Sequence, residues 1–218
     1  KLTELYNSQR AMRAMRSGAL HRGVIAILDV GTSKIGCLVL KFDGTAEKID
    51  GDGVGSLAGQ SGFQVIGSAL TKSRGLEYGE IVSMPETERA IRTALQSAQK
   101  LANARVDHVI ACISGGSPRS YGLDGSIDIK SEIVDDKDIA DVLGSCGIPS
   151  FEPDREVLHA QPVNFSLDQR TGLSDPRGQI GRNLSVDMHM LTVKEKTIQD
   201  LAYCIKRCDL ELAGVASS

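Results

Sequence analysis

Two apolar, β-rich runs, residues 24–28 and 35–40, flank the short turn Asp29-Val30-Gly31-Thr32-Ser33-Lys34. Branched aliphatic side chains favour extended backbone, and a turn built on Gly closes two such runs into a hairpin. A strand that ends in Asp, turns on Gly and hydroxyl residues, and returns as a strand can also hold a phosphate. The backbone N–H groups of Gly31, Thr32 and Ser33 can point into one concavity. Asp29 can hold a hydrated divalent cation beside the same phosphates. An ordinary hairpin with a Gly turn fits the same residues, so spacing alone leaves both readings open.

The rest of the chain decides what the hairpin belongs to. Residues 43–62 are rich in Gly, Asp and Ser and read as a loop. Asp50 and Asp52 begin like a calcium loop, but Val54 and Ser61 stand at later ligand positions. Gly53-Val54-Gly55 loosely matches a dinucleotide fingerprint without following a strand or opening a helix. A third strand follows over 63–70. Ser83 with Glu86 three residues on reads as a capping box, with Pro85 in the first turn. It opens a helix over 86–102 in which Ile91, Ala94, Leu95, Ala98, Leu101 and Ala102 recur at helical spacing.

Residues 106–113 read as a buried strand that Ser114-Gly115-Gly116-Ser117-Pro118 breaks. A strand over 121–129 and an acidic-started helix over 135–143 follow. Residues 156–168 alternate as a strand, 169–182 form a Gly- and Pro-containing loop, 184–192 alternate again, and 194–208 read as a helix. The order is three strands, then a compact strand–helix–strand–strand unit with a second helix, then a return to strand and helix. It predicts an α/β domain with a small α+β module inserted in it.

Composition removes some function classes. The net charge of −3 argues against general nucleic-acid binding, which needs a basic surface. No apolar run approaches the length of a membrane span. The first 23 residues are the exception in charge: Lys1, Arg10, Arg13, Arg16 and Arg22 face only Glu4. They read as a flexible basic tail, with a weak amphipathic helix through Met12, Met15 and Leu20 as the alternative. The five cysteines are odd in number and form no C-x-x-C pair, as expected of reduced thiols in a cytosolic protein. Cys204 and Cys208 are four apart and share a helix face. Ser114–Ser117 could cradle an oxyanion or phosphate, but no base lies near it in sequence, so it reads as a plain turn. His108, His159 and His189 fall in strand patterns and read as structural residues.

Several of these stretches, in this order, resemble the FtsA family of bacterial actin-like cell-division proteins over residues 20–218. Asp29-Val-Gly31-Thr32-Ser33-Lys resembles the family's first phosphate loop. Gly79-Glu-Ile-Val82 and the Ala-rich helix after it resemble the entry to its inserted subdomain, and Ile113-Ser-Gly115-Gly116 a strand end within it. Val157-Leu-His159-Ala-Gln-Pro162 with Asp168 looks like the return strand, Asp175-Pro176 through Gly181 like the loop after it. Cys208-Asp-Leu-Glu-Leu-Ala-Gly214-Val resembles a helix end before the second half. The basic start resembles the extension of alphaproteobacterial members.

The resemblance implies an actin-like (ribonuclease H-like) half-domain with an inserted small α+β strand–helix–strand–strand subdomain. Its expected bounds are a basic extension over 1–23, a core over 24–78 and 166–218, and the insert over 79–165. ATP and Mg²⁺ would be its cofactors, with Asp29, Gly31, Thr32 and Ser33 on the phosphates and Asp29 on the metal through water. The implied partners are FtsZ, other copies of the protein, later division proteins through the inserted subdomain, and the inner membrane, on whose cytoplasmic face at the division site the protein would work. The second phosphate loop, adenine pocket, FtsZ-binding region and membrane helix of the family have no match up to Ser218. This stretch by itself is therefore expected to be soluble and to bind nucleotide weakly or not at all, with at most weak ATPase activity in the whole protein. Pro162-Val163 stands where the family pattern would have Pro-Gln, so no catalytic residue carries over. A small-molecule kinase of the same fold is the alternative, against which the inserted unit speaks. A pure interaction module, with the hairpin as a mere turn, is a third reading.

Overall fold

Alternation along the first strands builds one sheet. In the computed structural model, which describes residues 23–42 and 63–218, β1 (Val24–Val30) pairs antiparallel with β2 (Lys34–Phe42), and β2 with β3 (Phe63–Lys72). The basic start and the loop over 43–62 lie outside the described residues. Ala26, Leu28 and Val30 of β1 and Ile35, Cys37 and Val39 of β2 point to one face and are buried there. A small hairpin, β4 (Leu76–Glu77) with β5 (Glu80–Ile81), leads into helix α1 (Met84–Ala102). Helix α1 returns the chain to β6 (His108–Ile113), which pairs parallel with β1.

The stripe on α1 explains its seat. Ala90, Ile91, Ala94, Leu95 and Ala98 are buried at helical spacing. Gly67 in β3 lies under the C-terminal part of α1, where a Cβ would come 2.8 Å from the Ala102 Cβ. The helix therefore rests directly on bare backbone. Ser83 is the N-cap residue as its position suggests, but its side chain makes no capping bond. The Gly75 carbonyl instead accepts the N–H groups of Val82 and Ser83 and the Thr87 hydroxyl, which fixes the helix entry from outside the helix.

Helix α3 (Glu195–Arg207) packs against α1 and leads to β11 (Glu211–Ser217), which pairs parallel with β6. The sheet order is β11-β6-β1-β2-β3. The segment read as a helix end, 208–215, is therefore mostly an edge strand. Its register shifts between Leu212 and Gly214, and its partner β6 lies about a hundred residues earlier, so no local alternation marks it. These elements form one compact unit, which runs up to Ser117 and resumes over Val193–Ser218.

The second unit is Pro118–Thr192. It holds β7 (Arg119–Asp128), α2 (Asp136–Ser145), β8 (Arg155–Leu167), β9 (Arg170–Leu173) and β10 (Asn183–Lys194), whose last two residues return to the first unit. The sheet order is β7-β10-β8-β9, with β7 antiparallel to β10 and β9 antiparallel to β8. One core forms from Leu123, Val134, Ile139, Val142, Phe165, Leu167, Leu184, Val186 and Met190. Asp135 caps α2 by accepting from the N–H groups of Lys137 and Asp138, and Asp138 bonds back to the Asp135 N–H. Asp168 turns the β8–β9 hairpin with φ +54° and accepts from the N–H groups of Arg182 and Asn183. Buried Arg155 donates to the hydroxyl and carbonyl of Thr192 at 3.0 and 2.9 Å.

The unit boundaries differ from the expected insert over 79–165. Residues 84–113 belong to the first unit because α1 lies on β3 and β6 is paired with β1. Residues 166–192 belong to the second because β10 completes its sheet. The strand, helix and strand expected to open the insert, over 80–113, thus fall in the first unit, and 118–192 has its own order of strand, helix and three strands, with β9 in a region read as loop. Among the described residues no helix is long and apolar enough to cross a membrane.

Candidate phosphate site

Three parallel strands, β11, β6 and β1, end side by side. Asp29 lies opposite Cys112, and Cys112 opposite Ala216; one residue on, Val30 lies opposite Ile113 and Ile113 opposite Ser217. The turns that follow parallel strands at their carboxyl ends are where open α/β sheets bind ligands. Here those turns carry Gly31-Thr32-Ser33 and Ser114-Gly115-Gly116. The Asp29 side chain is exposed at this end. Its antiparallel partner is Gly36, and a Cβ there would stand 3.8 Å from the Asp29 Cβ. The absent side chain leaves room beside the carboxylate.

The hairpin tip is braced rather than loose. Gly31 N–H donates to Lys34 O at 3.1 Å, and the same carbonyl would lie 3.0 Å from any Cβ at position 31. Gly31 thus closes the turn and its N–H is not free to face a ligand. Among the described residues the N–H groups of Thr32 and Ser33 have no acceptor. The Thr32 hydroxyl accepts the Gly79 N–H at 2.8 Å, and the Ser33 carbonyl accepts the Ser73 N–H at 3.0 Å. The phosphate donors expected of this loop therefore narrow from three N–H groups to the two at its tip.

A second contact ties the β4–β5 turn to the end of β6. Gly79 and Gly115 pack backbone to backbone, so closely that a Cβ on either would fall inside the other's main chain. Gly79 has φ +78°, which any other residue would adopt only with strain. Gly116, at φ +83°, offers its carbonyl to Lys194 N–H at 2.8 Å, and the Lys194 ammonium pairs with Glu80 at 3.2 Å. The Ser114–Ser117 turn, which sequence reads as a plain turn, is a packing joint against the hairpin's own brace. Sequence spacing marks Gly79 and Gly115 as turn residues but carries no sign that they meet, because 35 residues, α1 among them, lie between.

Cys112 is the neighbour of Asp29 that the sequence leaves unmarked. Burial first and the Asp29 charge second push its thiol up from the ordinary range. The remaining sequence candidates fall elsewhere. His108 is buried and pairs with Glu211 at 3.0 Å, joining β6 to β11. His159 and His189 lie half-buried in the second unit. All five cysteines are free. Among the described residues no group of three or more His, Cys, Asp or Glu side chains gathers as a metal site. One exposed carboxylate suits Mg²⁺ only when phosphate oxygens and water fill the rest of its shell.

The chain has clear relatives. The SHS2 domain inserted in FtsA matches residues 115–192, within three residues of the second unit at its start and identical at its end. The cell division protein FtsA of Rhizobium meliloti is 32% identical over 196 residues, covering 89% of this chain and 43% of that protein. FtsA of Pseudomonas aeruginosa is 28% identical over 204 residues, and FtsA of Escherichia coli 22% over 205, covering 44% and 45% of those proteins. The chain thus spans less than half the length of these curated relatives. Among solved structures, a chain of a PilM–PilN type IV pilus biogenesis complex superposes with a TM-score of 0.51 over 87% of this chain and 46% of its own, at 11% identity. That likeness concerns fold alone, and it fits an actin-like half with an inserted α+β subdomain.

Proposed function

We propose that this chain, which belongs to the FtsA family of cell-division proteins, supplies one phosphate-binding wall and the inserted docking subdomain of an ATP-dependent division scaffold. The observation that carries the reading is the convergence of Asp29, Thr32 and Ser33 at the carboxyl ends of three parallel strands, on a hairpin held from two sides. Bound ATP with Mg²⁺ supplies the phosphate oxygens that complete a cation's shell and lets two halves of an actin-like cleft close on one ligand. On this chain, the Thr32 and Ser33 N–H groups orient the phosphates. Asp29 holds the cation's water. Gly31 keeps the turn tight enough for both. The braces at Gly79 and Ser73 remove the entropy the loop would otherwise lose on binding.

The wider role follows the family. The whole protein polymerises, ties FtsZ to the cytoplasmic face of the inner membrane at the division site, and receives later division proteins on Pro118–Thr192. A wall alone cannot surround ATP, so the expected affinity of this chain by itself is weaker than micromolar. Calorimetry with Mg-ATP checks it, and micromolar binding by the chain alone would refute the shared cleft. In a family member of full length carrying this segment, Asp29→Asn is expected to weaken Mg-ATP binding at least tenfold, about 1.4 kcal/mol. Unchanged affinity would return the hairpin to a mere turn and favour the pure interaction module.

A further inference from the structure

The C-terminal end of α3 holds a pair of groups that the phosphate site does not use. Cys204 lies in the last turn of α3 and Cys208 caps it, with φ −84° and ψ 10°. Cys208 N–H donates to Cys204 O at 3.2 Å, so the two side chains stand one turn apart on one side of the helix. Both are buried, yet their surroundings differ. Cys208 lines a surface hollow of about 220 Å³ together with Arg92, Gln96, Gln99, Arg105 and Leu210, whereas Cys204 does not reach it. Arg92 spans this end of the helix. It pairs with Glu88 at 3.2 Å and Asp209 at 3.1 Å and bonds the Arg207 carbonyl. The Cys208 thiol also reaches the Glu88 carbonyl at 3.8 Å. A hydrogen bond from Cys204, with the Arg92 charge, holds Cys208 below the ordinary thiol range against its burial; the same bond and burial push Cys204 up.

We propose that Cys204 and Cys208 form a hydroperoxide-responsive dithiol, with Cys208 attacking and Cys204 resolving. The Cys208 thiolate attacks one peroxide oxygen, the O–O bond breaks, and the leaving hydroxide or alkoxide takes a proton to become water or alcohol. Cys208 is then a sulfenic acid. Cys204 attacks that sulfur as it loses its proton, the S–O bond breaks, and the hydroxide leaves with that proton as water. Two thiols lose two electrons in all, and the hydroperoxide gains them.

The geometry makes the product a report on the helix end. Residues four apart on an intact helix have Cβ atoms about 5–6 Å apart, whereas a disulfide needs about 3.5–4.5 Å. Closure therefore unwinds the last turn at the cap. It breaks the Cys208–Cys204 backbone bond and displaces Arg207 and Asp209 from Arg92, where the chain enters β11. Oxidation loosens the α3–β11 joint and reduction restores it.

The test treats the whole chain with hydrogen peroxide, alkylates what remains, and measures intact mass and peptide maps. A loss of two mass units is expected. Trypsin cuts at Lys206 and Arg207, so Cys204 and Cys208 fall on separate peptides joined only by the disulfide. The melting midpoint is expected to fall on oxidation and to recover with dithiothreitol. Cys208→Ser should abolish the mass loss, and Cys204→Ser should leave a dimedone-reactive sulfenic acid on Cys208. The idea is overturned if both thiols stay alkylatable at peroxide concentrations that oxidise Cys112, or if the linked peptides come from another pair. The wild-type map needs no variant, so a misfolded variant cannot shield the proposal.

Discussion

The two sheets of this chain are built from similar side chains and end in different ways. In the first unit, crossovers through α1 and α3 make β1, β6 and β11 run parallel, so their carboxyl ends and the following turns gather along one edge. In the second, β7 with β10 and β8 with β9 are antiparallel, so successive turns fall at opposite ends. The first arrangement concentrates polar turns into a place where a small ligand can be held. The second buries one core beneath α2. Glycine does not follow that division. In the first unit Gly67, Gly79 and Gly115 are sites of close backbone approach, and Gly125 and Gly181 of the second also lie where a Cβ would collide with a neighbour, while Gly122, Gly144 and Gly172 there have open space where a Cβ would go.

The strongest test of that contrast removes one core at a time. Leu28 and Leu184 are both fully buried, each in its own unit. Leu28→Ala and Leu184→Ala are each expected to cost about 2–5 kcal/mol. Residue-resolved hydrogen exchange should place the loss of protection in β1 and β6 for the first and in β7 and β10 for the second. Equal loss throughout the chain for either variant would mean that the two units unfold as one. A smaller effect separates the glycines. Gly115→Ala forces backbone against backbone and is expected to destabilise by about 1–3 kcal/mol, whereas Gly144→Ala, inside α2 with open space around it, is expected to stabilise by about 0.5–1 kcal/mol. Urea denaturation of both variants gives the signs, and the same sign for both would break the contrast between these two positions.

The smallest expected effect is a dependence on pH that two aspartates of the second unit share with Glu88 of the first, whose carboxyl Arg207 holds down. Hydrogen bonds from the Asp138 N–H to Asp135, and from the Asn183 and Arg182 N–H groups to Asp168, hold both carboxyls below the usual aspartate range. A carboxyl with a depressed folded pKa contributes stability that is present above its unfolded value, about 3.9, and lost as pH falls through the folded value. Acid should therefore weaken α2 and the β8–β9 turn. Asp135→Asn with Asp168→Asn should flatten the dependence of the melting midpoint on pH below about 4. A slope as steep as that of the unaltered chain would assign the acid sensitivity to other groups.

Local physics made much of this chain legible in advance. The β1–β2 hairpin, the acidic start of α2 and the alternation in β8 and β10 each depend on residues a few positions apart and stand where spacing puts them, as does the α1 stripe up to Ala98, beyond which Leu101 is exposed. Ser83 shows the limit of such reasoning. Its sequence context offers a capping box, but the Gly75 carbonyl, brought in by the β4–β5 hairpin, takes over the helix entry. Strand β9 was hidden because Arg170-Thr171-Gly172-Leu173 is short and mostly polar, and β11 because its pairing partner is remote.

The candidate site divides along the same line. The sequence by itself determined that Asp29, Gly31, Thr32 and Ser33 sit together at a strand end, because a tight turn leaves contiguous residues no other choice. Only the tertiary structure decided that Gly31 closes the turn with its own N–H, that Gly79 and Gly115 meet behind Thr32, and that α1 and β6 belong with the hairpin rather than with the inserted unit. Those outcomes depend on parallel pairing between strands about eighty to a hundred residues apart. Parallel register is set by packing across a crossover, and no spacing within a single segment encodes it.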